Sequence, residues 1–335
     1  MDFFKKMNIG KFLVLLLIMV ALGIPYLLRS NQYQILLATT VLLYGVMATS
    51  WNIIGGLAGQ LDFAAFAYLG IGAYTSGTLF LRFNVTPWIG MFLGGLVAAG
   101  FALLIGIPLF RFRIKEVWYA LTTSALVEIL KVAFNMWEKV GGPVERCLPY
   151  FSGSALYMRF TSYTPFYYMM FAMLAIALII NQRITSSKLG YYLKALGEDE
   201  SAAEVLGVNT QGSKLRALLY YSFLIGMTGG IYANMYGYIH PSFFNGPETT
   251  KIAILGIVGG RGITYGPLLA ALLLVGAQEY LRASLGGEYS GLYLLIYAVI
   301  LIIVVLFKPR GIATFFESWY QKLSSKGGGE HKDVS

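Results

Sequence analysis

Between residues 181 and 214 the chain reads NQRITSSKLGYYLKALGEDESAAEVLGVNTQGSK. This is a polar, charged insert with hydrophobic segments on both sides. Its position suggests lipid-embedded helices that respond to whatever grips one soluble loop. Within it, residues 198–207, from Glu198 to Gly207, have the pattern of a short helix. Acidic residues crowd the first turn, where the helix dipole favours them. Ala202, Ala203 and Leu206 are helix formers that leave a small apolar face. Gly207 suits the left-handed position that closes a helix. An ordinary solvated loop with one helical turn fits the same pattern.

Composition sets the solvent. Of 335 residues, 57% are hydrophobic and 12% charged, against about 25% charged in soluble domains. No polar region is long enough for a soluble domain, so residues 1–320 read as one transmembrane domain, with a cytoplasmic loop at about 182–214. The tail 321–335 carries Gly327-Gly328-Gly329 and reads as a disordered cytoplasmic end. The formal charge of +9 raises nucleic acid as a partner. The basic residues instead sit beside hydrophobic spans with no interleaved aromatics, which argues against nucleic acid and fits a cytoplasmic-side bias. The single cysteine, Cys147, excludes an intrachain disulfide and a multi-cysteine metal site.

Spans of about 20 apolar residues fall at 12–28, 33–54, 61–81, 87–109, 117–136, 164–181, 215–236, 264–281 and 291–307. The first follows Lys5, Lys6 and Lys11 and resembles a signal peptide. It lacks a small-residue cleavage site and is taken as a retained helix. A shorter piece, 250–259, is too brief to cross alone and reads as a re-entrant half-helix. The expected fold is an all-α polytopic bundle of about nine spans with both termini cytoplasmic. In that orientation Arg111, Arg113, Lys115, Arg183, Lys188, Lys194, Lys214 and Arg216 fall inside, with Lys308, Arg310, Lys322, Lys326 and Lys332.

Two glycine clusters interrupt the helical pattern: residues 55–62, from Gly55 to Asp62, and residues 256–262, followed by Gly266-Pro267. Broken helices are tolerated where they are buried or line a cavity, and they often border a transport path. Asn52, Gln60, Asp62, Gly259 and Gly260 are the candidates for such a path. Close helix packing explains the glycines equally well. Intramembrane charge reads as sparse. Glu128 and Lys131, three residues apart on one helix face, form the expected ion pair, as a structural contact or a substrate contact. The loop 137–163, with Gly141-Gly142-Pro143, is the longest connection on the outer side. It either caps the outer mouth, meets a partner or is passive.

Several chemistries find no residues. The phosphate-cradling G-x-x-x-x-G-K-[ST] pattern is absent, as is a G-x-S-x-G elbow. His240 and His331 are far apart and lack ligand-spaced partners, so no metal and no cofactor is expected. His240, before Pro241, reads as the end of a helix at the outer surface. A membrane enzyme would need a cluster of catalytic polar groups, and none assembles.

Certain motifs carry a family likeness. Trp51-Asn52-Ile53-Ile54-Gly55-Gly56-Leu57-Ala58-Gly59-Gln60 resembles an N-L-L-x-G-x-x-G-Q segment, continued by F-x-x-x-G-I-G-A-Y over Phe66 to Tyr74. Residues 195–209 resemble A-x-x-x-x-E-x-A-A-x-x-x-G-x-N. Residues 254–267 resemble I-L-G-G-x-G-x-x-x-G-P, and Phe307-Lys308-Pro309-Arg310-Gly311 resembles F-x-P-R-G. In this order they resemble permeases of the branched-chain amino-acid ABC importer family. The resemblance implies a non-catalytic subunit of an ATP-driven importer in a bacterial inner membrane. Its implied partners are a second related permease, two cytoplasmic ATPase subunits, an extracytoplasmic binding protein, membrane lipid and a small-molecule substrate. ATP hydrolysis would occur on the separate subunits. The loop helix would couple to an ATPase through Glu200, Ala202, Ala203 and Gly207, with Ser201 where the wider pattern has Glu. Two departures bear on substrate choice. Leu61-Asp62-Phe63-Ala64-Ala65-Phe66 replaces S-x-G-x-x-A-F, and Val144-Glu145-Arg146 follows the outer Gly-Gly-Pro. Related importers carry urea, short amides or aromatic acids. The alternative class is a transporter driven alone by an ion gradient.

Overall fold

Three helices that meet through glycine form the centre of the bundle. They are Ala65–Phe83, Pro87–Arg111 and Thr210–Tyr236, introduced here as α2, α3 and α8. A Cβ on Gly72 of α2 would enter the backbone of Gly226 on α8, and one on Gly94 of α3 would enter the backbone of Gly72. Gly229 of α8 meets the Leu69 carbonyl, and Gly230 meets Met91. Lipid gives apolar helices no hydrophobic reason to associate, so close contact between small residues supplies the packing energy. Ser, Thr, Tyr and Gly on these faces are buried among neighbouring helices.

The structure is a computed structural model and describes residues 19–28, 31–114, 116–149, 153–285, 292–307 and 311–313. Before the central trio, α1 (Gln32–Trp51) starts at an Asn31 cap and runs into a π-helical turn, Asn52–Gly56. After it come α4 (Glu116–Met136) and α5 (Thr164–Thr185). Two short helices follow, α6 (Lys188–Glu198) and α7 (Glu200–Val205), ahead of α8. The chain continues through α9 (Gly246–Gly259), then α10 (Gly266–Ala270), a π turn at Ala271–Val275, α11 (Gly276–Leu285) and α12 (Leu292–Phe307).

The helical class matches the expectation. Among the described residues five helical stretches are long and apolar enough to cross a membrane: Gln32–Gly56, Pro87–Arg111, Val117–Met136, Thr164–Thr185 and Gly266–Leu285. The expected count was about nine. α2 and α8 are long enough, at 19 and 27 residues, but their buried glycine and hydroxyl faces make them less apolar. α9 has 14 residues, about 21 Å of helix against about 30 Å of hydrocarbon, so it remains too short to cross. Of the span expected at 12–28, only 19–28 is described, helical over 19–27. The tail 321–335, Lys115 and the C-terminal basic residues lie outside the described residues.

Three boundaries move for local reasons. Residues 57–64 are non-helical, so the span expected to start at 61 starts at Ala65. The helix expected at 198–207 divides, because Glu198 closes α6 and Asp199 is extended before α7 begins. His240 does not end a helix. α8 closes at Gly237 in the left-handed conformation, and the His240 Nδ1 accepts from the Ser242 N–H while its Nε2 faces the Pro143 carbonyl at 3.2 Å. The connection at 137–163 is tied down there by an antiparallel pairing of Arg146–Cys147 with Tyr238–Ile239.

Candidate functional site

The soluble insert is held by caps at three helix starts. Ser187 accepts from the Gly190 N–H, Asp199 from the Ala202 N–H and Asn209 from the Gly212 N–H. Each side chain satisfies a donor that a helix start leaves open. Gly207 has φ +83°, as its expected closing position requires. Its N–H bonds to Glu204 and the Val208 N–H to Ala203.

Two ion pairs fix α7 against the bundle. Arg113 pairs with Glu204 at 2.6 Å and Lys214 with Glu200 at 2.7 Å. The first is open to solvent and contributes little. The second is better shielded, because the Lys214 side chain is nearly buried and its ammonium lies over the Phe110 ring at 5.8 Å. Ala203 is turned inward, and Ala202 is exposed. Val205 and Leu206 are 88% and 83% exposed. An apolar pair is thus presented at the C-terminal end of a six-residue helix, Val205 as its last residue and Leu206 as its cap.

The insert touches the first glycine break through backbone. A Cβ on Gly197 of α6 would lie 2.8 Å from the Leu57 carbonyl, and Gly59, at φ +68°, faces the Gly197 Cα. The first break in turn touches the second. The Asn52 Nδ2 donates to the Ile263 carbonyl at 3.2 Å, and its Oδ1 accepts from the Gly262 N–H at 3.1 Å. Gly55 and Gly256 both face the Trp51 ring, Gly259 meets Gly266, and Gly260 meets Gly311. Both breaks and the insert therefore gather at one end of the bundle, the end that carries Arg111, Arg113, Arg183, Lys188 and Lys194.

Asp62 is fully buried beside this junction. Its Oδ2 accepts from the Tyr119 hydroxyl at 2.7 Å. Its Oδ1 accepts from the Ala64 N–H at 2.8 Å and the Tyr221 hydroxyl at 3.1 Å. Its carbonyl accepts from the Trp51 Nε1–H. The geometry is that of a structural knot joining α1, α4 and α8. Asp62→Ala would strand two hydroxyls and an N–H, each costing about 1–3 kcal/mol. The Tm of the purified chain is expected to fall by roughly 6 °C, and an unchanged Tm would remove the knot from the stability account. Gln60 is buried nearby, with its Nε2 unpartnered.

Among the other expected residues, Glu128 and Lys131 lie 3.9 Å apart with both side chains about half exposed. The Glu128 carboxylate also faces Gly246 at the start of α9. The sequence reading missed a second charged cluster. Glu248 on α9 accepts from the Tyr44 hydroxyl and pairs with Lys251 at 3.4 Å. The Lys251 ammonium stands 4.1 Å from the centre of the Tyr44 ring. Glu279 of α11 is buried and pairs with Arg282 at 3.7 Å. Asn245-Gly246-Pro247 is a cap followed by a first-turn proline, a start signal that would have placed Glu248 inside the helix, one turn before Lys251. Among the described residues no group of acidic, histidine and cysteine side chains could hold a metal.

A family model described as branched-chain amino acid transport system / permease component matches residues 34–305. The chain is 25% identical to the high-affinity branched-chain amino acid transport system permease protein LivM of Salmonella typhimurium, over 96% of this chain and 79% of that protein. It is 26% identical to LivM of Escherichia coli K12, over 90% and 74% respectively. It is also 26% identical to the corresponding permease protein LivH of Salmonella typhimurium, over 80% and 90%. No solved structure matches it.

Proposed function

Because this chain belongs to the family of branched-chain amino-acid transport permease components, we propose that it is the membrane-spanning subunit of an ATP-driven importer. Its cargo is a branched-chain or similar small amino acid delivered by an extracytoplasmic binding protein. A second, related permease completes the channel, and two cytoplasmic ATPase subunits drive it. The similarity to both LivM and LivH supports a paired permease. The gathering of arginine and lysine at the insert's end supports a cytoplasmic placement for that end, in a bacterial inner membrane.

The observation that carries the reading is the exposed Val205–Leu206 pair at the C-terminal end of α7. Charge surrounds it, and the shielded Lys214–Glu200 pair and an Asp199 cap hold its helix in place. An apolar tip on a fixed polar stalk suits a groove on a soluble partner. α7 is then the coupling helix. Glu200 and Ala203 anchor it to the bundle, Ala202 borders the partner, and Gly207 turns the chain back into α8. Asn52, Gln60, Asp62, Gly259 and Gly260 act as the hinge region that passes its displacement inward. The partly buried Glu248 and Lys251, with the buried Tyr44, supply the polar groups within the bundle that a zwitterion would meet.

Co-expression with candidate ATPases and a related permease, followed by purification in mild detergent, tests the assignment. A complex containing both partner types is expected, with amino-acid uptake into proteoliposomes that requires ATP. Uptake by the chain alone, driven by an ion gradient, would replace the reading with that of a secondary carrier.

A further inference from the structure

At the end of the bundle opposite the insert lies a cavity of about 310 Å³, walled by residues 158–163 with Phe166, Asn234 and Met235. Arg159 is one of its walls and is only 5% exposed. No carboxylate of the described residues pairs with it. Its Nη1 reaches the Asn234 carbonyl at a long 3.4 Å, and its guanidinium lies 5.5 Å from the centre of the Phe80 ring. Nε and Nη2 have no partner. These two nitrogens form the side-on fork of a guanidinium, whose parallel N–H bonds match the two oxygens of a carboxylate.

A second orphan stands on the same wall. The Oδ1 of Asn234 is buried without a donor, while its Nδ2 is committed to the Gly230 carbonyl at 2.8 Å. Buried polar atoms normally find partners, and an unpaired buried charge is costly. Burial lowers the pKa of Arg159. An arginine guanidinium stays protonated in proteins, so the side chain still carries its charge. The backbone adds a further cost: Met158, just before it, is buried at φ +51°, a left-handed conformation that side chains avoid. A strained residue beside an unpaired cation is typical of a site organised for a ligand.

We propose that this cavity binds the α-amino-acid substrate as a zwitterion, with its carboxylate on the Arg159 fork and its ammonium on Asn234 Oδ1. Met158, Phe160, Phe166 and Met235 supply an apolar wall for the side chain. The three orphan atoms are closed to water in the unliganded chain, so binding includes a turn of the guanidinium toward the cavity. The ligand class rests on the import reading; the donor fork does not. In the importer, the cavity is an outer waiting site between release from the binding protein and entry to the bundle.

The test uses the full-length chain with its co-purified subunits and three probes: L-leucine, 4-methylpentanoate, which lacks the ammonium, and 3-methylbutylamine, which lacks the carboxylate. Leucine at saturation is expected to raise Tm by roughly 5 °C, the acid by less, and the amine not at all. Arg159→Gln abolishes both shifts. Arg159→Lys, a point charge without a fork, weakens the apparent Kd by about tenfold. Asn234→Asp guards against misfolding of the arginine variants, because it supplies an internal carboxylate. It is expected to raise the unliganded Tm and to eliminate the leucine response. An amine response equal to that of leucine overturns the proposal, as does a leucine response that survives both Arg159→Gln and Asn234→Asp. Chain-dependent leucine uptake by cells is scored separately. Uptake without any carboxylate response removes the site and leaves the import reading standing. A carboxylate response without uptake does the reverse.

Discussion

Gly72→Ile is expected to leave no folded protein to purify. The Cβ at this position would enter the backbone of Gly226, and the Gly72 backbone already lies against Gly94 of α3. No rotamer relieves the clash, because the obstacle is main chain on both sides. α2, α3 and α8 would have to separate at the centre of the bundle. Added methylenes in an adaptable core cost about 1–3 kcal/mol. Here the displaced unit is a whole helix, and the loss is expected to exceed the roughly 5–15 kcal/mol that holds most folds together. The readout is the monodisperse fraction in detergent. Gly100→Ile on α3 is the matched control, since nothing lies within 4 Å of its Cβ; it should purify like the parent. A monodisperse Gly72→Ile protein with parental Tm would show that the central trio is not close-packed.

Replacing both Val205 and Leu206 with aspartate is expected to lower amino-acid uptake by about a thousandfold and leave the chain folded. The pair is almost fully exposed, so its loss costs the isolated chain little. Each side chain seated in a partner's groove would contribute about 2 kcal/mol at a hot spot. Two added carboxylates would also stand unpaired in an apolar pocket. The two side chains alone give roughly 4 kcal/mol, or a factor of about a thousand in association, and the carboxylates add to that loss. An unchanged Tm, loss of co-purifying ATPase and loss of uptake are expected together. Parental uptake would remove α7 from the coupling role.

These two variants mark what could be read from the chain and what could not. The polar insert was legible because its composition contrasts with its flanks. Its caps, Ser187, Asp199 and Asn209, are local signals. One of them, Asp199, also divided the expected helix, because an extended cap cannot lie within a continuous helix. The glycine breaks were legible as interruptions but not as neighbours, since the Asn52 contacts to Gly262 and Ile263 join residues some two hundred positions apart. The packing of Gly72 on Gly226 is equally non-local. Glu248 was hidden by a helix start placed four residues late. Arg159 was hidden because it sits in an irregular stretch where no periodicity marks which side chains turn inward.

The contact between Gly197 and Gly59 is main chain against main chain, with no side chain between them. A joint of that kind reads shape and ignores chemistry. The head of the insert is therefore free to diversify while the joint beneath it stays the same. On the proposed coupling role, exchange of residues 200–206 between relatives is expected to change which ATPase subunit co-purifies and to leave the Gly197–Gly59 joint intact.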